Sequence, residues 1–278
     1  MKDIRTSPTP EDRARLLAKK AFICDMDGVI YHGNKLLPGV IEFTEWLERK
    51  GKQYLFLTNS GERTPRELSE KLRRLGINIH ESHFYTSALA TAQFLASQKP
   101  NGSAYVIGNS GLINALYEAG YSMNDIDPDY VIVSETPEYN FTRICRAIKL
   151  VRGGAKLIGT NPDMTGPVEG GDIVPATGAL IAPIELATGA KPYYVGKPNP
   201  LMMRKASAKL GVHPDETAII GDRMDTDMIA GIESDMTTVL VLSGVTSLAD
   251  IGNFAYRADY VFDNVGGLLG ASGSRQSP

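Results

Sequence analysis

The stretch AFICDMDGVI, residues 21–30, carries the reading of this chain. Its first four residues are apolar, as expected of a strand buried on both faces of a parallel sheet. The run then breaks into Asp25-Met26-Asp27-Gly28, so two carboxylates leave one strand end two positions apart, followed at once by a glycine. In an open α/β sheet, ligands bind at the carboxyl ends of the strands. Period-two geometry sends Asp25 and Asp27 the same way unless the loop turns between them. Acids that close repel each other, and a divalent cation, a shared proton or a nearby lysine has to compensate. A plain Asp-Gly turn, with carboxylates capping backbone amides, is the structural alternative.

The pattern continues in both directions. Apolar runs of the same type recur at 53–58 (QYLFLT), 104–108 (AYVIG), 130–134 (YVIVS), 156–160 (KLIGT), 193–196 (YYVG), 217–222 (TAIIGD) and 238–244 (TVLVLSG). Helical patterns separate them. Thr64-Pro65-Arg66-Glu67 has capping-box spacing, Leu68, Leu72 and Leu75 follow on one face, and Gly76 is a stop signal. Asn199-Pro200 opens a second helix, with Met202, Met203, Ala206 and Leu210 facing inward before Gly211. Alternation of this kind predicts an α/β fold built on a doubly wound, Rossmann-like parallel sheet with right-handed crossovers. A short helix capped by Thr9 and Pro10 is expected within residues 1–20, and disorder over residues 270–278.

Three further strand ends carry reactive groups. Thr58-Asn59-Ser60-Gly61 offers hydroxyls, an amide and loop N–H groups suited to phosphate oxygens, although the same residues make an ordinary turn. Lys197 directly follows the run ending at Gly196, where a solvated loop cation is the alternative. Gly221-Asp222-Arg223-Met224-Asp225-Thr226-Asp227 places acids at 222, 225 and 227, and hard oxygen ligands of this sort suit Mg²⁺. The four histidines, His32, His80, His83 and His213, lack metal-ligand spacing and are assigned to surface or capping roles. Cys24 lies inside a strand run and reads as a small core residue.

Taken in order, DxDGV, TN, GKP and GDxxxTD, each after an apolar strand, resemble the haloacid dehalogenase-type phosphatases. ICDMDGVIYHGN (23–34), FLTNS (56–60), FYTSALATA (84–92), GTNPD (159–163), YYVGKPNP (193–200) and VLSGVTSLADI (241–251) are similar to the NagD-type subfamily in particular, from about residue 21 to 265. The resemblance implies Mg²⁺-dependent hydrolysis of small phosphomonoesters through an aspartyl phosphate, with nucleoside monophosphates such as UMP or GMP expected and p-nitrophenyl phosphate as an artificial substrate. It implies Asp25 as nucleophile, Asp27 as acid and then base, and Thr58 and Asn59 as the phosphate-orienting pair, with Ser60 beside them. It further implies Lys197 as the neutralising cation, Mg²⁺ held by the Asp25 carboxylate, the Asp27 carbonyl and Asp222, and Asp227 orienting metal waters or Lys197. Asn161 or Asp163 of the 159–163 turn could meet the leaving group.

The long insert between Asn59 and Lys197 implies a smaller α/β cap, so the expected division is a catalytic core over 1–98 and 191–278 and a cap over 99–190. Caps in such folds often pair, which allows a homodimer. Sugar-phosphate, phosphoglycolate and pyridoxal-phosphate phosphatases are the rival enzymatic readings. A phospho-accepting module without turnover is the rival from another class, and Asp27 and the insert count against it. A dehalogenase would not need the second acid at Asp27. With 29 Lys plus Arg against 32 Asp plus Glu, nothing predicts affinity for nucleic acid polymers or anionic membranes. Two cysteines and a charged N-terminus without an apolar leader point to the cytoplasm.

Overall fold

The computed structural model describes residues 8–168 and 172–270, so residues 271–278, on which the expected disorder of the C-terminal tail falls, lie outside it. The chain divides into two compact units. One comprises the described residues of Met1–Leu57, Lys71–Ile79 and Met203–Pro278, the other those of Thr58–Glu70 and His80–Met202.

In the first unit five parallel strands lie in the order Tyr260–Phe262, Thr237–Val241, Thr217–Gly221, Ala21–Cys24 and Gln53–Thr58. Ala21–Cys24 is buried at every residue, which is why its sequence is unbroken apolar rather than alternating. Its register pairs Cys24 with Ile220, and the Asp25 N–H continues the ladder onto the Ile220 carbonyl at 2.8 Å. Asp25 and Asp222 therefore leave neighbouring strand ends within one residue of each other. The helix Val40–Arg49 packs on this strand through aromatic rings. Phe22 meets Phe43 and Trp46 edge-on, at centroid distances of 6.2 and 5.4 Å. Such pairs stabilise by about 0.5–1.5 kcal/mol beyond the area they bury. Lys52 stacks over Trp46, 5.5 Å from the ring centroid, and its ammonium donates to the carbonyls of Leu17 and Lys19, tying down the end of the helix Pro10–Leu17. That helix starts with the reciprocal Thr9–Asp12 capping box, in agreement with the expected cap.

The second unit has its own parallel sheet, ordered Tyr193–Tyr194, Lys156–Gly159, Tyr130–Val133, Ser103–Ile107 and Ser122–Met123. The helices Phe141–Arg152 and Thr177–Thr188 cover it, burying Ala147, Leu150, Ile181 and Ile184 against Ile107, Val131 and Val133. An antiparallel hairpin pairs Thr165–Pro167 with Ile173–Pro175.

All eight apolar runs contain strands, with ends trimmed by up to three residues where the chain turns away. The capping box at Thr64 forms, with the Glu67 carboxylate accepting from the Thr64 N–H at 2.7 Å and the Thr64 hydroxyl accepting from the Glu67 N–H at 3.2 Å. It opens the helix Pro65–Arg74, and Gly76 follows in a left-handed conformation at φ 99°. Met202, Met203 and Ala206 of the helix Pro200–Leu210 are wholly buried.

Candidate active site

The first strand stops at Cys24, and the chain turns at once. The Met26 carbonyl accepts from the N–H groups of Val29, Ile30 and Tyr31, at 3.3, 2.8 and 3.2 Å. Gly28 takes φ 79° in that turn, a conformation L side chains rarely adopt. The turn is the alternative to a straight strand that the spacing of Asp25 and Asp27 left open. Asp25 instead joins acids from the other end of the sequence. One carboxylate oxygen from each of Asp25, Asp222 and Asp227 lies within 4.8 Å of the others. Asp222 and Asp227 are 2% and 1% exposed.

The loops around these acids are built to hold them. Asp222 accepts from the Val245 N–H at 2.7 Å, and Asp227 from the Arg223 N–H at 3.2 Å. Glycines pack directly on the carboxylates. A Cβ on Gly28 would lie 2.4 Å from Asp222 Oδ2, and one on Gly244 only 2.0 Å from it. Asp227 is set on a π-helical turn, Met224–Met228, whose geometry brings it back over Gly221. Three carboxylates this close demand a compensating positive charge. The donor set is entirely hard oxygen, and the residues fit a divalent cation such as Mg²⁺. The third acid of the segment, Asp225, is turned away and holds the Arg223 guanidinium through two bonds, of 3.0 and 2.8 Å.

In the second unit, Thr58, Asn59, Lys197 and Asn161 are buried, and Ser60 is half-buried. Lys197 is 2% exposed, so its ammonium has to be met by acceptors. Asn59 grips its backbone with both ends of the side-chain amide. Oδ1 accepts from the Lys197 N–H at 2.8 Å, and Nδ2 donates to the Lys197 carbonyl at 2.9 Å. The same Nδ2 donates to Asp163 Oδ2 at 3.0 Å. The Thr58 hydroxyl accepts from the Ser60 N–H at 3.1 Å, curling the loop back on itself. Asn161 and Asp163 are tied into their own turn, with Asn161 Oδ1 accepting from the Asp163 N–H at 3.0 Å.

Two participants escaped the sequence reading. Ser87 donates to the Asn59 carbonyl at 2.5 Å, and Glu135 accepts from Asn161 Nδ2 at 2.6 Å and from the Gly61 N–H at 3.3 Å. Both stand just past strands, the one signal that could have flagged them. Cys24, beside Asp25, is wholly buried; burial and then the Asp25 charge push its thiol far above the ordinary cysteine range, so it is inert as a nucleophile. Of the histidines, His80 caps a short turn by accepting from the Ser82 N–H, and His213 faces Asp215 at the surface.

A topology of this kind, with acids gathered at parallel strand ends, defines a class before it defines a member. The family model of the haloacid dehalogenase-like hydrolases matches residues 22–122, and a second HAD-like hydrolase model matches residues 194–268. The chain is 45% identical over 248 residues to the dihydroxyacetone phosphatase of Corynebacterium glutamicum, covering 89% of this chain and 90% of that protein. It is 43% identical to the ribonucleotide monophosphatase NagD of Escherichia coli, covering 88% of this chain and 96% of that one. The solved structure of NagD superposes with a TM-score of 0.84 over 90% of this chain and 98% of the other. The glycerol phosphate phosphatase of Mycobacterium tuberculosis in complex with magnesium, 27% identical, superposes with a TM-score of 0.82 over 88% of this chain and 74% of that one. The chain belongs to the haloacid dehalogenase-like hydrolases. Within them it is a NagD-type phosphatase, an enzyme acting on small phosphorylated substrates.

Proposed function

We propose that this protein is a Mg²⁺-dependent phosphomonoesterase working through an aspartyl phosphate on Asp25, with nucleoside monophosphates as its substrate class. The observation that carries this reading is the convergence of Asp25, Asp222 and Asp227 within 4.8 Å. The Asp25 carboxylate attacks phosphorus while Asp27 protonates the departing alcohol oxygen. Asp27, now a base, takes a proton from water, which attacks the aspartyl phosphate and returns Asp25 with release of phosphate. A positioned acid–base group contributes roughly 10²–10⁴-fold. A carboxylate approaching an anionic phosphoryl group is held off by like charge, and the Lys197 ammonium offsets part of it. Bound Mg²⁺, held by the Asp25 carboxylate, the Asp27 carbonyl and Asp222, with Asp227 orienting its waters, would supply Lewis-acid stabilisation of phosphoryl charge. The Thr58 and Ser60 hydroxyls and the Asn59 N–H orient the phosphoryl oxygens. The same reading keeps residues 1–98 and 191–278 as the catalytic core and 99–190 as the cap, places the enzyme in the cytoplasm, allows a homodimer paired through the caps, and involves neither nucleic acid polymers nor membranes.

The 45% identity to a dihydroxyacetone phosphatase favours a second reading, in which small triose or polyol phosphates are the substrates. A screen over UMP, GMP, dihydroxyacetone phosphate, glycerol phosphate and p-nitrophenyl phosphate, with Mg²⁺ and with EDTA, decides between them by kcat/KM. Asp25→Asn is expected to abolish turnover of every substrate while the circular dichroism spectrum and melting temperature stay near those of the parent. Multiple turnover by that purified variant would exclude the mechanism.

A further inference from the structure

We propose that Glu135 is a positioning residue for the reaction, fixing the backbone of Lys197 and the Thr58–Ser60 loop through Asn161 and Asn59. This rests on the assignment of Thr58 and Lys197 to the phosphoryl group. The chain of contacts begins at Asn59. Its side-chain amide has two N–H groups and an acceptor oxygen, and the protein occupies all of them: Lys197 and Asp163 accept, and the Lys197 N–H donates. A side chain committed in this way has no N–H left for a phosphate oxygen. Its contribution is to set where the Lys197 backbone runs, and hence where the ammonium starts from.

Asn59 is itself held at its carbonyl, which accepts from Asn161 Nδ2 at 2.8 Å and from Ser87 Oγ at 2.5 Å. Asn161 is wholly buried. Its Nδ2 also approaches Thr177 Oγ1 and Thr160 Oγ1 at 3.2 and 3.4 Å, but the two shortest contacts, to Asn59 and to Glu135 Oε1 at 2.6 Å, take the two hydrogens. Asn161 thus reads as part of the brace rather than as a leaving-group contact. The second oxygen of Glu135 accepts from the Gly61 N–H at 3.3 Å and from Ser134 Oγ at 3.0 Å. One carboxylate therefore holds residue 59 from both sides, its carbonyl through Asn161 and the following turn through Gly61. Gly61 packs close against Ser134, and a Cβ added there would lie 2.4 Å from the serine hydroxyl. Charge-assisted bonds are the strong ones, and a carboxylate accepts on both oxygens at once. A glutamine at 135 can accept on one oxygen only, and its other end sets an N–H₂ against the Gly61 N–H.

The test uses the full-length enzyme with p-nitrophenyl phosphate and Mg²⁺, with thermal melts recorded in parallel. Glu135→Ala is expected to lower kcat by about 10- to 100-fold, the scale of an ångström misplacement, with KM changed far less. Glu135→Gln is expected to recover part of that loss. Combined with Lys197→Ala and assayed at high enzyme concentration, Glu135→Ala should lower kcat by a clearly smaller factor than it does in the parent, because one of the two groups it positions is gone. A purely structural lesion would multiply through both backgrounds. A kcat within twofold of the parent for Glu135→Ala, or an equal fold-loss with and without Lys197, would overturn the role. The two readings fail separately. Turnover by Asp25→Asn removes the assignment of the site, whereas an inert Asp25→Asn beside an unimpaired Glu135→Ala removes only the role of Glu135.

Discussion

At the scale of single residues, the acids depend on what is missing next to them. Asp222 sits against Gly28 and Gly244, and neither position tolerates a methyl group without moving the carboxylate. Gly244→Ala is expected to cost about 1–3 kcal/mol through overpacking and to cut activity more steeply than Ala substitutions elsewhere on the surface. Denaturant midpoints and kcat/KM check both, and a parent-like variant would show that the contact relaxes without consequence. Asp25 and Asp222 were legible in the sequence because each ends an apolar strand run, with Asp227 five residues beyond the second, and strand ends are where α/β folds bind ligands. Glu135 was not legible. It also follows such a run, but nothing in a sequence says which strand ends face one another, and a lone glutamate in Ser134-Glu135-Thr136 carries no spacing signal. Asn59 was found for its amide but read as a phosphate contact, because the partners that occupy the amide lie far along the chain.

At the scale of elements, eight strands announced themselves by buried apolar runs, whereas the strands Phe84–Thr86, Ser122–Met123 and Tyr260–Phe262 did not. These are two or three residues long, too short for periodicity to register. The hairpin strand Ile173–Pro175 is exposed at every position, so no alternation marks it. Edges between elements also depend on single charges. Asp129 precedes the strand Tyr130–Val133 and accepts from the N–H and hydroxyl of Ser103, at 2.8 and 3.1 Å, at the start of the neighbouring strand. The hydrogen-bonded Lys99 ammonium, helped by Ser103 and opposed by burial, holds its carboxyl below the usual range. A depressed folded-state pKa stabilises the fold above the unfolded value of about 4, and that contribution is lost as pH falls through the folded value. Asp129→Asn should therefore destabilise the fold at pH 7, with the gap from the parent narrowing toward pH 3. Urea midpoints at the two pH values test the sign; equal gaps would contradict it.

Across the whole molecule, stability and metal binding should be linked. Acids forced together without a counter-ion repel, so a bound cation adds to folding stability as well as to chemistry. At a Mg²⁺ concentration about 100-fold above its dissociation constant the gain is about 2.7 kcal/mol, worth roughly 5–10 °C in melting temperature. Melts in a MgCl₂ series should show that rise in the parent and a flattened response in Asp222→Asn. A parent that melts at one temperature throughout would separate the acids from any metal. Among the described residues no helix is long and apolar enough to cross a membrane, so such melts need no detergent on account of a spanning helix.

The contrast between the two cysteines has a practical consequence. Cys24 is sealed at the end of the first strand with its proton held fast, while Cys145 lies open on the helix Phe141–Arg152. A maleimide dye added to the native enzyme should therefore couple once, at Cys145, and twice only after denaturation, which intact-mass spectrometry reads directly. Unmutated protein then carries a fluorophore at one known place, and double coupling under native conditions would mean that the first strand opens far more often than its burial allows.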